Sequence, residues 1–318
     1  MKKQSENIVQ LPAFFISTIR GVFNEDGEKF LADLPGLISE GSQRWGLTNV
    51  QPVPNLSYNF VAFAKRGGDD VVLKIGVLNR ELTSEIYALK LFNGIGACQL
   101  LESDAERGLL LLERLKPGGM LSELEDDDER THIAAEVMQK IWHDISPVQV
   151  TSNKLIKLSD WFDGLKNLRP HFGGGTGPFP KKLLEQVESS LPDLFADKSV
   201  KLIHGDFHHF NILSSERGWL VIDPKGVIGP VGYEVGPLML NPWNSISDRI
   251  SPALSFVEGF RRRAERRVSI LAERLGWEHE TIIKWSTAQA VLSAWWNIQD
   301  DMNGDYAIQC AEIFSEMK

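Results

Sequence analysis

One short segment, residues 206–223, constrains the fold of this chain more than any other. Two apolar runs in it flank Ser-Glu-Arg-Gly, a pattern that predicts a β-hairpin. Asn211 and Asp223 lie six residues on either side of Arg217, so an antiparallel hairpin is predicted to place them side by side at its open end. Asp206 lies on the loop that enters the first strand. One end of the hairpin is therefore predicted to gather two carboxylates and an amide.

This set of side chains suits a magnesium ion and a phosphate group. Mg²⁺ takes oxygen ligands and prefers one or two carboxylates together with substrate phosphates. The amide oxygen of Asn211 and the carboxylate of Asp223 fit that role. Asp206 is then left to accept the proton of a hydroxyl nucleophile and to direct it in line at a γ-phosphate.

The rest of the chain predicts a mixed α/β half followed by a mainly helical half. Apolar residues at helical spacing predict two leading helices, with a break or kink at Pro35-Gly36 in the second. Alternating apolar runs and a glycine turn predict a hairpin, then a helix and two more strands; the residues are 57–64, 70–75, 80–92, 98–102 and 109–113. A Lys-Pro-Gly-Gly sequence at 116–119 marks the predicted boundary. The predicted later helices span 128–145, 155–168, 181–190, 250–276 and 280–300.

The pattern His-x-Asp-x-x-x-x-Asn, followed by a hairpin and Ile-Asp, resembles the catalytic loop and metal site of the protein-kinase-like fold. The version present here, His-Gly-Asp-x-His-x-x-Asn-Ile-Leu, resembles the aminoglycoside phosphotransferases. The sequence Ile-Asp-Pro-Lys-Gly at 222–226, with Gly229 and Asn241-Pro242, is similar to the streptomycin 6-phosphotransferase and hydroxyurea-resistance kinase branch. The resemblance covers about residues 50–242.

The resemblance implies an α+β, two-lobed, protein-kinase-like fold. Residues 1–115 would form a small lobe with leading helices and a nucleotide-binding antiparallel sheet. Residues 116–318 would form a larger, mainly helical lobe with the catalytic loop and the acceptor site.

The resemblance also implies roles for individual residues. It makes Asp206 the catalytic residue, Asn211 and Asp223 the metal ligands, and His204 the residue that orients the loop. The residues implied to bind ATP are Lys74, Glu85, Glu113, Leu115 and Ser57. Glu81 competes with Glu85 as the partner of Lys74. The stretch around Ser57 lacks the glycines that cover the phosphates in protein kinases.

The acceptor side is predicted from acidic and aromatic residues in the second half. Trp296 and Asp300 share a helical face, Asp301 follows, and Glu234 is a second carboxylate candidate. Together they would suit a cationic acceptor. The competing interpretation is a tryptophan core with a solvated helix end.

The resemblance predicts ATP- and Mg-dependent phosphoryl transfer to a hydroxyl of a small molecule, with a streptomycin-like aminoglycoside as the implied acceptor. The alternatives are a metabolite kinase acting on a sugar, an amino alcohol or a hydroxyurea-type compound, and a nucleotide-binding pseudokinase. The choice between ATP and GTP, the acceptor hydroxyl and the oligomeric state stay open.

Composition limits the partners and the cellular location that can be predicted for the protein. A formal charge of −9 argues against nucleic-acid binding, and no apolar run is long enough for a membrane span. Two cysteines, no disulfide framework and no secretory signal predict a cytoplasmic protein. The acidic run at 125–129 and the arginine-rich run at 261–267 are predicted to form solvated helix faces.

Overall fold

The computed structural model of the chain describes residues 11–151, 153–196, 200–242 and 256–317. Their contacts separate into two compact units. The N-terminal unit comprises the described residues up to Gly94 together with Cys98–Leu115. The C-terminal unit comprises Ile95–Ala97 and the described residues from Lys116 onward.

The N-terminal unit opens with a helical segment, α1 (Ala13–Trp45), that is broken once. The break lies at Asn24, where the backbone turns to φ 49° and ψ −122°. The helix continues through Pro35, so a break at Pro35-Gly36, one of the two predicted irregularities there, is wrong. A Cβ at Gly27 would lie 2.4 Å from the Ile19 carbonyl oxygen, so the two pieces touch closely just after the break. This contact between the pieces has no signature in the apolar pattern.

A five-stranded antiparallel sheet forms the rest of the N-terminal unit. Its strands are β1 (Leu47–Pro52), β2 (Phe60–Arg66), β3 (Asp69–Ile75), β4 (Leu100–Asp104) and β5 (Leu109–Glu113), in the order β1-β2-β3-β5-β4. The β2–β3 hairpin is confirmed, whereas β1 was not predicted. Helix α2 (Arg80–Phe92) has the predicted bounds and begins where the Asn79 side chain accepts a hydrogen bond from the Leu82 N–H. Apolar side chains from α1 and the sheet form one continuous core.

The C-terminal unit combines helices with two small sheets. Its strands are β6 (Pro117–Met120), β7 (Ile156–Lys157), β8 (Val200–Ile203), β9 (Ile212–Ser215), β10 (Gly218–Val221) and β11 (Val227–Pro230), in the orders β10-β9-β6 and β7-β11-β8. The helices are α3 (Asp127–Ile141), α4 (Pro147–Thr151), α5 (Leu158–Asp163), α6 (Leu168–His171), α7 (Lys181–Ala196), α8 (Val235–Leu240), α9 (Phe256–Leu275), α10 (His279–Gln299) and α11 (Asp305–Ser315). The helix predicted over 155–168 is thus divided into a strand and short helices. Residues 250–255, the start of another predicted helix, lie outside the described residues.

The charged runs predicted to be solvated are partly buried. Arg267 on α9 is fully buried and donates two hydrogen bonds to Asp127, of 2.6 and 2.8 Å, at the start of α3. It also donates to the carbonyl oxygens of Leu238 and Asn241. A buried guanidinium is tolerated because a carboxylate and two carbonyls satisfy its donors. These partners are distant in sequence, which is why the local charge pattern was misleading.

No helix in the described ranges has both the length and the apolar character that a membrane span needs.

Candidate active site

The predicted catalytic hairpin is present, with a register one residue away from the prediction. β9 and β10 pair with Val221 opposite Ile212, and the Ile222 N–H donates to the Asn211 carbonyl over 2.9 Å. Asn211 is therefore opposite Ile222, and Asp223 lies one residue beyond, in a left-handed conformation with φ 56°. The turn contains two residues between the paired Ser215 and Gly218, so the centre of the hairpin falls beside Arg217 and not on it. Asn211 and Asp223 both remain at the open end.

Asp206 lies within hydrogen-bonding distance of the end of the hairpin. The Asn211 amide nitrogen donates to the Asp206 backbone carbonyl over 3.0 Å and lies 3.5 Å from its Oδ2. The His208 Nε2 lies 3.4 Å from Asp206 Oδ1. Burial opposes ionisation of Asp206, but His208 and the charge of Lys225 outweigh it and hold its pKa well below the ordinary value. Asp206 is therefore an ionised carboxylate at neutral pH.

His204 is fully buried and uses both ring nitrogens to hold the loop. Its Nδ1 accepts the Asp206 backbone N–H over 3.1 Å, and its Nε2 lies 2.8 Å from the Ile222 carbonyl oxygen. Because Nδ1 accepts, the proton is on Nε2 and the ring is neutral. Burial lowers the pKa of His204 to about 4, which agrees with this tautomer. His204 thus ties the Asp206 backbone to the far strand of the hairpin.

The loop approaches its neighbours most closely at Gly205. A Cβ at this position, where φ is 86°, would lie 2.4 Å from Val227 Cγ2 and 3.2 Å from the tip of the Trp161 ring. Both the backbone conformation and the lack of space require glycine before Asp206.

Glu234, predicted to contact the acceptor, is fully buried and bonded to the loop backbone. Its two carboxyl oxygens accept the N–H groups of His204, over 3.0 Å, and Gly205, over 2.9 Å. Burial raises the pKa of Glu234 to about 8, against the opposing effect of these two donors. The acceptor prediction for Glu234 is wrong, because no part of its side chain is exposed to a ligand. Its carboxyl group holds the backbone just before Asp206.

The residues predicted to bind a metal ion fit Mg²⁺ bound together with phosphates. Since the Asn211 nitrogen donates to Asp206, the Asn211 amide oxygen is the atom suited to a metal ion. Asp223 supplies a carboxylate at the same end of the hairpin. Within the described part of the chain, no three His, Cys, Asp or Glu side chains cluster into a complete metal cage. Two protein ligands with substrate phosphates are the usual arrangement for Mg²⁺.

The N-terminal unit contains the residues predicted to bind the nucleotide. Lys74 on β3 and Glu85 on α2 are both buried, and their side chains are joined over 2.6 Å. The structure thus selects Glu85 over the exposed Glu81 as the partner of Lys74.

The other predicted nucleotide residues lie at the end of β5 and in a loop. The Glu113 N–H donates to the Gln99 carbonyl, Leu115 is buried, and Ser57 is exposed in the loop between β1 and β2. The backbone N–H of Glu113 is therefore already hydrogen-bonded within the N-terminal unit.

Near the catalytic loop, the structure adds one aromatic residue that the sequence did not indicate. Trp161 on α5 lies against Gly205, and the half-buried Trp296 meets it edge to face with ring centroids 5.4 Å apart. Asp300 and Asp301 are exposed at the end of α10, four and five residues after Trp296. Trp161 carried no motif, and its proximity to the loop depends on how α5 packs.

The fold is that of the protein-kinase-like phosphotransferases, as predicted. The structure of choline kinase LicA from Streptococcus pneumoniae matches with a TM-score of 0.56 at 16% identity, covering 89% of this chain and 98% of that one. At this identity the match establishes the fold alone.

Sequence comparison assigns the chain to a family within this fold. Residues 44–301 match the family model described as aminoglycoside/hydroxyurea antibiotic resistance kinase, and the chain belongs to that family. A streptomycin 6-kinase from Streptomyces glaucescens is 26% identical over 300 residues, 93% of each chain. A hydroxyurea phosphotransferase from Kitasatospora aureofaciens is 28% identical over 310 residues, 96% of this chain and 84% of that protein. The family predicted from the motifs is confirmed.

Proposed function

We propose that this kinase transfers the γ-phosphoryl group of ATP to a hydroxyl of a small molecule, with Asp206 as the catalytic residue. The observation that carries the proposal is the double fixation of Asp206: its N–H is bonded to His204 and its carbonyl to Asn211. A carboxylate that stays ionised and is held on both sides can position a hydroxyl for attack.

The chemical step follows from this placement. The acceptor hydroxyl donates a hydrogen bond to the Asp206 carboxylate, which aims its oxygen at the γ-phosphorus. The new oxygen–phosphorus bond forms as the bond to the β,γ-bridging oxygen breaks, and that electron pair leaves with ADP. The hydroxyl proton passes to Asp206. Because the pKa of Asp206 is low, it takes the proton late in the step, once bonding to phosphorus has made the attacking hydroxyl acidic.

Asn211 and Asp223 are proposed to hold Mg²⁺, which when bound neutralises charge on the phosphate oxygens. In the N-terminal unit, Lys74 is proposed to contact the α- and β-phosphates, with its ammonium group fixed by Glu85. We further propose that Ser57 lies by the phosphates, and that the backbone of Glu113 to Leu115 contacts the adenine. On this account residues 1–115 act as a nucleotide-binding lobe and residues 116–318 carry the catalytic loop and the acceptor site.

A cationic acceptor of the streptomycin type is the favoured substrate class. Its guanidinium groups would bind carboxylates and stack on aromatic faces, and the C-terminal unit offers Asp300, Asp301, Trp296 and Trp161 for this. Because a hydroxyurea phosphotransferase is among the relatives, a small neutral acceptor is the second candidate. Because ATP is the proposed donor, we place the reaction in the cytoplasm.

The test is a screen of acceptors with the purified protein. Streptomycin, hydroxyurea, a sugar and an amino alcohol are each incubated with Mg²⁺ and either ATP or GTP, and ADP or GDP release and the product mass are measured. We expect a phosphorylated product with streptomycin, and about 10²–10⁴-fold slower formation of it when Asp206→Asn replaces the parent protein. Nucleotide binding without phosphorylation of any acceptor would instead identify a pseudokinase.

A further inference from the structure

Lys225 lies beside the catalytic loop and has no part in the mechanism above. It follows the metal-site aspartate in the Ile-Asp-Pro-Lys-Gly sequence. Strand β11 pairs with β8 through Val227 opposite Ile203, so the residues that follow β8 run alongside those that precede β11. The Lys225 N–H donates to the His204 carbonyl over 2.8 Å. These bonds fix the Lys225 backbone next to the residue that begins the loop.

The Lys225 side chain starts close to Asp206. A Cβ at Gly205 would lie 3.1 Å from the Lys225 Cβ, so Lys225 contacts the residue directly before Asp206. The side chain is half-buried, and its charge is one of the influences that keep Asp206 ionised. His204 on the same loop is neutral, so it supplies no positive charge there. Lys225, by contrast, ends in an ammonium group with three hydrogen-bond donors.

The proposed reaction needs positive charge at this place. During transfer, negative charge is spread over the three equatorial oxygens of the γ-phosphoryl group, next to the negative Asp206. A fixed cation there stabilises the transition state more than the ground state.

We propose that the ammonium group of Lys225 contacts the γ-phosphoryl group as it passes from ATP to the acceptor held by Asp206. The inference rests on the proposed function and adds a phosphate-contacting residue to it. Lys225 donates a hydrogen bond to an equatorial oxygen and keeps its proton throughout. The oxygen–phosphorus bonds form and break as described above, and the hydroxyl proton still goes to Asp206.

Three variants separate charge from structure. Lys225→Met removes the charge and keeps the length of the side chain, while Lys225→Arg keeps the charge. The matched control is Lys201→Met on the neighbouring strand β8, where the lysine pairs with Asp144 over 3.3 Å. Thermal unfolding checks each variant, and Lys225→Gln replaces Lys225→Met if the latter does not fold.

Calorimetry with ADP alone, and with ADP plus aluminium fluoride as a mimic of the planar phosphoryl group, gives the main readout. We expect Lys225→Met to bind ADP within about twofold of the parent, but to lose about tenfold or more in affinity for the mimic. Lys225→Arg should recover most of this loss and Lys201→Met should show none. With an acceptor from the screen, kcat should fall by about 10²-fold in Lys225→Met while the KM for ATP changes little.

Other outcomes overturn the inference in distinguishable ways. Equal binding of the mimic by Lys225→Met and the parent, or equal losses for ADP and for the mimic, would show that Lys225 does not contact the transferring group. Failure of Lys225→Arg to recover the loss would show that the charge is not what matters. A parent protein that binds the mimic no better than ADP would overturn the proposed function, and this inference with it.

Discussion

Acidification should destabilise the protein through His204, since the folded loop requires this ring to be neutral. Protonation of Nδ1 would remove the acceptor that holds the Asp206 N–H and would place a positive charge in a fully buried site. The perturbation is a decrease in pH from 7.5 to 4, applied to the parent protein and to His204→Gln.

The magnitude follows from the difference in pKa between the two states. Burial lowers the pKa of His204 to about 4 in the folded protein, against an ordinary value of 6.5. Between these values the unfolded chain binds a proton that the folded protein does not, so the free energy of unfolding falls as the pH falls. At about 1.4 kcal/mol per pKa unit, the full loss is about 3.5 kcal/mol, complete only below pH 4. Above pH 6.5 the stabilisation is fully present.

Urea unfolding at a series of pH values measures this effect as a difference between parent and variant. His204→Gln should be less stable at pH 7.5 by about 1–3 kcal/mol, because two hydrogen bonds are lost. The difference should then shrink by about 3 kcal/mol towards pH 4, so that it vanishes or changes sign. His279→Gln, at an exposed histidine, is the control and should follow the parent. A difference between parent and His204→Gln that stays constant with pH would refute the reasoning.

Three further predictions address the metal, the buried ion pair and the acceptor. Asp223→Ala should abolish the magnesium dependence of ATP binding in calorimetry, and an unchanged dependence would remove this residue from the metal site. Glu85→Gln should lower the free energy of unfolding by about 3–5 kcal/mol, because it takes a carboxylate from a buried ammonium group, whereas the exposed Glu81→Gln should change it little. Equal effects in chemical denaturation would contradict that assignment. The double variant Asp300→Asn/Asp301→Asn should raise the KM for a cationic acceptor about tenfold and leave the KM for ATP unchanged. Equal acceptor KM values in the variant and the parent would show that both residues are only a solvated helix end.

Features that depend on local sequence were predictable. The hairpin that ends in Asp223 and the helix that carries Glu85 arise from short-range apolar patterns and turn residues, and both are confirmed. The motif around Asp206 also identified the family, because its spacing joins a loop to that hairpin. The one-residue error in register came from the position of the turn, which a count from Arg217 cannot determine.

Features that depend on packing between distant segments were not predictable. Glu234 lies 28 residues after Asp206, and its sequence context does not show that its carboxyl group binds the loop backbone. Arg267 was predicted to be one of several solvated arginines, because the sequence does not show that α3 brings Asp127 into contact with it. Trp161 reached the loop through the packing of α5. In each case the partner is a backbone group or side chain from another element, so no periodicity within one element reports it.

The turnover of Asp206→Asn tests the central claim most directly. The variant keeps the shape of the side chain and removes the carboxylate, so ATP binding measured by calorimetry should stay within about twofold of the parent. With an acceptor from the screen, kcat should fall by about 10²–10⁴-fold, because the hydroxyl loses the group that orients it and takes its proton. A variant that binds ATP and turns over the acceptor at nearly the parent rate would contradict the assignment of Asp206 as the catalytic residue.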